Sequence, residues 1–151
     1  MKMNKLLAYL FLLLPALTLQ SCLKNQEDVF PESSAAQMKD YLDKTKDVLA
    51  SSEKGWVLDM YPDKTRKYGG FAFVLKFDAD KATVGSELSP NPSNLITSLY
   101  KTTADDGPVL TFDTYNAWMH KLATPSSEQT TALGGDFEFV IDSIGSDLIV
   151  V

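Results

Sequence analysis

Few residues in this chain could do covalent or metal chemistry, and their spacing works against it. His120 is the single histidine and Cys22 the single cysteine in 151 residues. One imidazole with neither a second histidine nor a cysteine set cannot build a zinc site or a facial triad. No Gly-x-Ser-x-Gly elbow presents a serine, and no serine context pairs with His120. His120, four residues after Asn116, is therefore expected at the surface or partly packed. Asp105, Asp106 and Asp113 gather around Gly107-Pro108. A calcium loop needs alternating oxygen ligands and a late glutamate, which this stretch lacks. The better reading is a turn at 105–108, with Asp113 capping a helix. Gly69-Gly70 and Gly134-Gly135 both open onto aromatic-rich strands. A phosphate cradle opens onto a helix, so these read as bulge or turn glycines. No catalytic residue, no metal ligand set and no cofactor is expected.

What remains is recognition chemistry. Trp56, Tyr61, Tyr68, Tyr100, Tyr115 and Trp118 offer flat rings that could stack on a sugar or a peptide at low entropic cost. A domain without disulfides needs most of them in its core. Tyr61, Tyr68 and Tyr100 lie at strand ends or on the polar side of a strand, and they are the candidate ligand-binding aromatics.

The first 21 residues carry a different message. Lys2 and Lys5 precede the apolar block Leu6–Leu14, which Pro15, Thr18, Gln20 and Ser21 close off. Basic residues, a short apolar run and a small residue before a cut are the pattern of a signal peptide. The run is shorter than the roughly 20 residues a spanning helix requires. Leu19-Gln20-Ser21-Cys22 resembles a bacterial lipobox. The resemblance implies cleavage before Cys22, a diacylglycerol on its sulfur and an acyl chain such as palmitate on its amine. At about 0.8 kcal/mol per buried methylene, several chains anchor far more firmly than one. Lipidation of Cys22 would leave no thiol for a disulfide, so the domain must be held together by its core.

The mature chain would run from Cys22 to Val151, 130 residues, an ordinary size for one domain. Removing Lys2 and Lys5 from 14 basic residues leaves 12 against 20 acidic, a net of −8. That balance argues against nucleic acid or an anionic membrane surface as partner; the membrane is reached only through the lipid.

Three segments are expected: residues 1–21 as signal peptide, 22–33 as a flexible acidic tether, and 34–151 as a single domain. Within the tether, Gln26-Glu27-Asp28 has two readings. It resembles the acidic export signal that sends some lipoproteins to the outer face of the outer membrane, and it also fits a solvated linker. Ser34 and Gln37 form a capping box for a helix to Ala50. Met38, Tyr41, Leu42, Thr45, Val48 and Leu49 line one side of it. Strands follow at Gly55–Tyr61, Phe71–Phe77, Ala82–Leu88, Leu95–Thr102, Val109–Phe112, Asp136–Ser143 and Leu148–Val151. Asp113 should start a short helix carrying Tyr115, Trp118, Met119 and Leu122. The expected fold is α+β: an amphipathic helix, then an antiparallel β-meander with a second short helix inserted, its sheet left open at the C-terminus. A chain ending within an apolar strand has two readings, a buried last strand or the first part of something longer.

Gly55-Trp56 with Tyr61-Pro62, Tyr68-Gly69-Gly70-Phe71, Leu75-Lys76-Phe77, Ser86-Glu87-Leu88, the run Gly107–Asn116, and Gly134–Phe139 together resemble domain-of-unknown-function family 4302 of Bacteroidetes lipoproteins. The resemblance brings no activity, substrate or catalytic residue, and implies members longer than this chain. The expectation is a lipid-anchored lipoprotein of the outer membrane, facing the cell surface if Gln26-Glu27-Asp28 is that export signal and the periplasm if it is a solvated linker. Its domain is expected to be a non-catalytic binding or accessory module for a glycan, a peptide or a nutrient-uptake complex. The alternatives are a truncated hydrolase accessory and a purely structural envelope protein.

Overall fold

The computed structural model describes residues 32–151. The expected signal peptide, Cys22 and all but the end of the tether lie outside the described residues. Ser34–Val151 forms one compact unit. It begins with helix α1 (Ser34–Ser51), whose buried residues Thr45 and Leu49 fall on the apolar side read from the sequence. The Thr45 hydroxyl donates to the Tyr41 carbonyl at 2.8 Å, so a polar side chain sits in the core without an unmet bond. The helix end is tied down. The Trp56 indole donates to the Leu49 carbonyl at 2.8 Å, and Lys76 Nζ donates to the carbonyls of Ser52 and Glu53. The indole takes up a carbonyl that the last turn leaves without an intrahelical partner, and the lysine ties down the two residues that follow the helix.

Four antiparallel strands follow in chain order, β1 (Trp56–Met60), β2 (Phe71–Phe77), β3 (Lys81–Ser86) and β4 (Ile96–Leu99). Strict alternation sends Phe73, Leu75 and Phe77 inward from β2 and leaves Val74 and Lys76 outside. The register sets large against small: Phe73 faces Ser86, Leu75 faces Val84 and Phe77 faces Ala82. Close packing of three inward aromatics and aliphatics therefore does not overfill the layer.

The fold is α+β, but its strands make three sheets and not one meander. The expected strand Leu95–Thr102 is divided at Tyr100. Ile96–Leu99 pairs with β3, while β5 (Lys101–Ala104) pairs with β6 (Pro108–Thr111), which in turn pairs with β7 (Glu138–Val140). Tyr100 points inward at the corner. Its amide donates to Asp80 O at 3.1 Å and its hydroxyl to Asp78 O at 3.1 Å, while its ring meets Phe77 edge-on at 4.8 Å. Ser98 and Tyr100 are both buried, so the strand keeps its inward parity and changes only its partner. Helix α1 packs on β2, β5 and β6 and so bridges the first two sheets. The last strand expected, Leu148–Val151, reduces to β9 (Ile149–Val150), which pairs with β8 (Ser143–Ile144) as a separate two-stranded ribbon.

The inserted helix is also different. Residues 117–123 run as consecutive turns. Asp113 is engaged elsewhere: it accepts from Nζ of Lys101, the first residue of β5, at 2.7 Å. Asn116 serves as the cap three residues later, its Oδ1 accepting from Trp118 N at 3.1 Å and Met119 N at 3.4 Å. A segment this short gains too little from helical propagation to fix its own start, so the buried asparagine decides it. Trp118, Met119 and Leu122 are buried as expected, but Tyr115 turns out to solvent.

Candidate functional site

The three tyrosines singled out from the sequence part company. Tyr100 is 3 % exposed and belongs to the core, which corrects its expected place at a ligand surface. Apolar residues occupy both parities of its strand, and the structure sends Leu95 and Leu99 outward and Tyr100 inward. Burial first, then the negative charges of Asp78 and Asp80, push its phenol up to about 12. Tyr61 and Tyr68 remain exposed, at 54 % and 41 %, and they bracket the loop from β1 to β2.

That loop is ordered by its own polar groups. Asp63 Oδ1 accepts from the Thr65 amide at 2.8 Å and from the Thr65 hydroxyl. These bonds, and after them Lys67, hold the Asp63 carboxyl below the usual carboxylate range. Arg66 N donates to Asp63 O at 2.8 Å, and Gly69 N to Arg66 O at 3.0 Å. Arg66 sits at φ 56°, a left-handed conformation uncommon for a residue with a side chain. Its guanidinium carbon lies 5.0 Å from the centre of the Tyr61 ring. Beside it, Lys67 Nζ lies 4.7 Å from the centre of the Tyr68 ring and 3.4 Å from Asp63 Oδ2. The Tyr68 side chain first, then Asp63, raises the Lys67 ammonium above the ordinary lysine range. Each exposed ring thus carries a cation against it.

Tyr61 also borders a cleft of about 300 Å³, lined in part by Asp59, Asp136, Phe139 and the Gly134-Gly135 backbone. The glycines are there because nothing larger fits. A Cβ on Gly134, at φ 83°, would stand 2.5 Å from the Pro62 carbonyl oxygen. Leu133 N and Gly135 N both donate to Leu122 O, at 2.9 and 3.2 Å, which fixes this wall against the buried turn. The arrangement can do recognition chemistry: cations on aromatic faces, two carboxylates and backbone polar groups around a small open space.

His120 lies elsewhere. It is 7 % exposed, more buried than expected, stacked on Phe137 with ring centres 4.3 Å apart. Its Nδ1 is 3.0 Å from Asn116 O. A second open space of about 290 Å³ lies near Tyr115, which is 69 % exposed, and is lined also by Trp118, Lys121 and Ser126. Asp105 and Asp106 occupy the bend between β5 and β6, where Asp105 N donates to Gly107 O at 2.8 Å. Among the described residues, no three His, Cys, Asp or Glu side chains gather as a metal site would require.

Comparison with known families places most of the chain. The family described as Domain of unknown function (DUF4302) matches residues 26–151. The chain belongs to this family. The match spans the loop with Tyr61, Arg66 and Tyr68 and both walls of the adjoining cleft, so these are parts of the DUF4302 domain itself. No curated protein and no solved structure matches the chain.

The sequence reading missed Arg66 and the outward Tyr115. A signal for Arg66 was present: it is the single arginine in the chain, set between Lys64 and Lys67 in an otherwise acidic protein. Its left-handed backbone and its seat on Tyr61 are tertiary facts that no local pattern encodes.

Proposed function

We propose that this DUF4302 chain is a lipid-anchored lipoprotein of the outer membrane, facing the cell surface. Its domain acts as a non-catalytic binding or accessory module for an extracellular glycan or peptide, or beside a nutrient-uptake complex. The observation that carries the anchor is Leu19-Gln20-Ser21-Cys22 at the end of a short apolar segment, with Cys22 the single cysteine. The binding reading is supported by Tyr61 and Tyr68, exposed rings on an ordered loop beside a cleft.

Two measurements test it. Cells given a fatty-acid probe should label the wild-type chain and not Cys22→Ala; label retained in the variant refutes lipidation there. Protease added to intact cells should digest the domain, and replacing Gln26-Glu27-Asp28 should protect it. A wild-type domain that survives on intact cells defeats surface exposure. Turnover of a glycan or peptide by the purified protein, abolished by a single substitution, would defeat the non-catalytic assignment.

A further inference from the structure

We infer that the β1–β2 loop recognises an acidic oligosaccharide, with Arg66 holding its carboxylate or sulfate and the cleft beside Tyr61 receiving a neighbouring sugar. This rests on the binding-module reading above and gives it a site and a ligand class.

The charge distribution motivates it. The chain carries a net charge of −6, yet residues 64–67 bring Lys64, Arg66 and Lys67 together within four positions. Lys67 is engaged by Asp63 and Tyr68. Arg66 forms no ion pair with a carboxylate among the described residues, although acidic side chains outnumber basic ones. A guanidinium left without a carboxylate presents a planar fork of donors that matches a carboxylate or a sulfate in two parallel bonds.

The loop is built to keep that fork in place. Arg66 holds a φ of 56°, fixed by the Asp63 carbonyl before it and the Gly69 amide after it. Left-handed backbone at a residue with a side chain is costly and persists where surrounding bonds impose it. The strained position falls on the single arginine, and its guanidinium is parked on the exposed Tyr61 ring. A cation resting on a ring surrenders less rotamer freedom on binding than one free in water.

The cleft settles what the rest of the ligand should be. Asp59 and Asp136 line it together with Tyr61. Carboxylates accept from sugar hydroxyls and repel an anion, so the charged group of the ligand must lie at the loop and a neutral portion in the cleft. A peptide charged at every residue would bring its carboxylates against Asp59 and Asp136, which disfavours it. An anionic membrane is disfavoured by the net charge of the domain.

The test uses the full chain purified in detergent and titrated calorimetrically with hyaluronan and κ-carrageenan, in which charged and uncharged sugars alternate, and with hyaluronan methyl ester, dextran and polyglutamate. Binding is expected for hyaluronan, κ-carrageenan or both, which tells a carboxylate ligand from a sulfate ligand, and not for the two neutral polymers. Arg66→Gly keeps the left-handed backbone without strain and removes only the side chain. It should weaken binding by about tenfold or more, as loss of a central charged contact does. Tyr61→Ala should weaken it as well, while Lys39→Ala, the same charge change on α1, should leave it unaltered. Equal binding by the acid and its methyl ester overturns the inference, as does equal binding of polyglutamate, no binding of either acidic polysaccharide, or an Arg66→Gly affinity like that of wild type. Binding of neutral dextran alone overturns it while leaving a glycan-binding module standing.

Discussion

Asn116→Ala should be among the most damaging single substitutions in the domain. The side chain is fully buried and meets four groups. Its Nδ2 donates to Ile96 O and to Ser98 Oγ, each at 3.1 Å, and its Oδ1 accepts from Trp118 N and Met119 N. Alanine would strand the Trp118 and Met119 amides in the interior; the Ile96 carbonyl keeps its place in the β3–β4 ladder opposite Val84, and the Ser98 hydroxyl can rotate toward another partner. Each stranded group costs about 1–3 kcal/mol, so the loss should be about 3 kcal/mol. For a domain of this size that corresponds to a fall in Tm of roughly 10–15 °C by calorimetry. Asn116→Asp provides an internal control. It keeps the shape and the acceptor for Trp118 N but turns a second oxygen toward the Ile96 carbonyl. Burial then raises the new carboxyl's folded pKa above its unfolded value of about 3.9. A group raised on folding contributes its stability below the unfolded pKa and loses it as pH rises through the folded one. The Tm deficit of Asn116→Asp relative to wild type should therefore shrink between pH 7 and pH 4. A deficit unchanged over that range, or an Asn116→Ala shift below about 3 °C, refutes the account of Asn116 as a buried hub.

Tyr100 has a folded pKa raised to about 12, so its contribution is present below pH 10 and lost as pH climbs through 12; thermal melts from pH 9 to 11 should fall more steeply for wild type than for Tyr100→Phe, and parallel curves contradict this. Gly134→Ala meets the Pro62 carbonyl at 2.5 Å as well as a φ of 83°, whereas Gly69→Ala at φ 76° meets nothing within 4 Å. The first should lower the denaturant midpoint well beyond the second, for which the strain is about 1 kcal/mol; equal midpoints contradict it. Lys101→Ala removes an exposed ion pair with Asp113 and should leave the melting temperature within error of wild type, as exposed pairs generally do.

The elements with strong periodicity were legible in the sequence. Helix α1 starts at the expected Ser34, and the alternation of β2 is the one observed. Sheet membership was not legible, because the segment around Tyr100 has apolar residues on both parities and nothing local states which neighbour a strand will take. The helix expected after Asp113 failed for a related reason. Asp113 and Asn116 are both good caps by type, and only the buried partners of Asn116, contributed by residues 96 and 98, decide between them. For the candidate site, strand-end position correctly marked Tyr61 and Tyr68 as exposed. Arg66 depends on a backbone conformation and a ring contact that arise only when the loop closes.

The corner at Tyr100 also bears on how the domain comes apart. Its amide is held by Asp80 and its ring lies beneath Phe77, so the point where one sheet passes the chain to the next is clamped by the β2–β3 turn. With α1 lying across both sheets, neither can open without disturbing the other. Amide exchange in this domain should then be governed at the corner by global unfolding and not by separate opening of either sheet, with the Tyr100 amide among the slowest to exchange. A loop that holds a ligand at one end would be carried on a body that melts as a single cooperative unit.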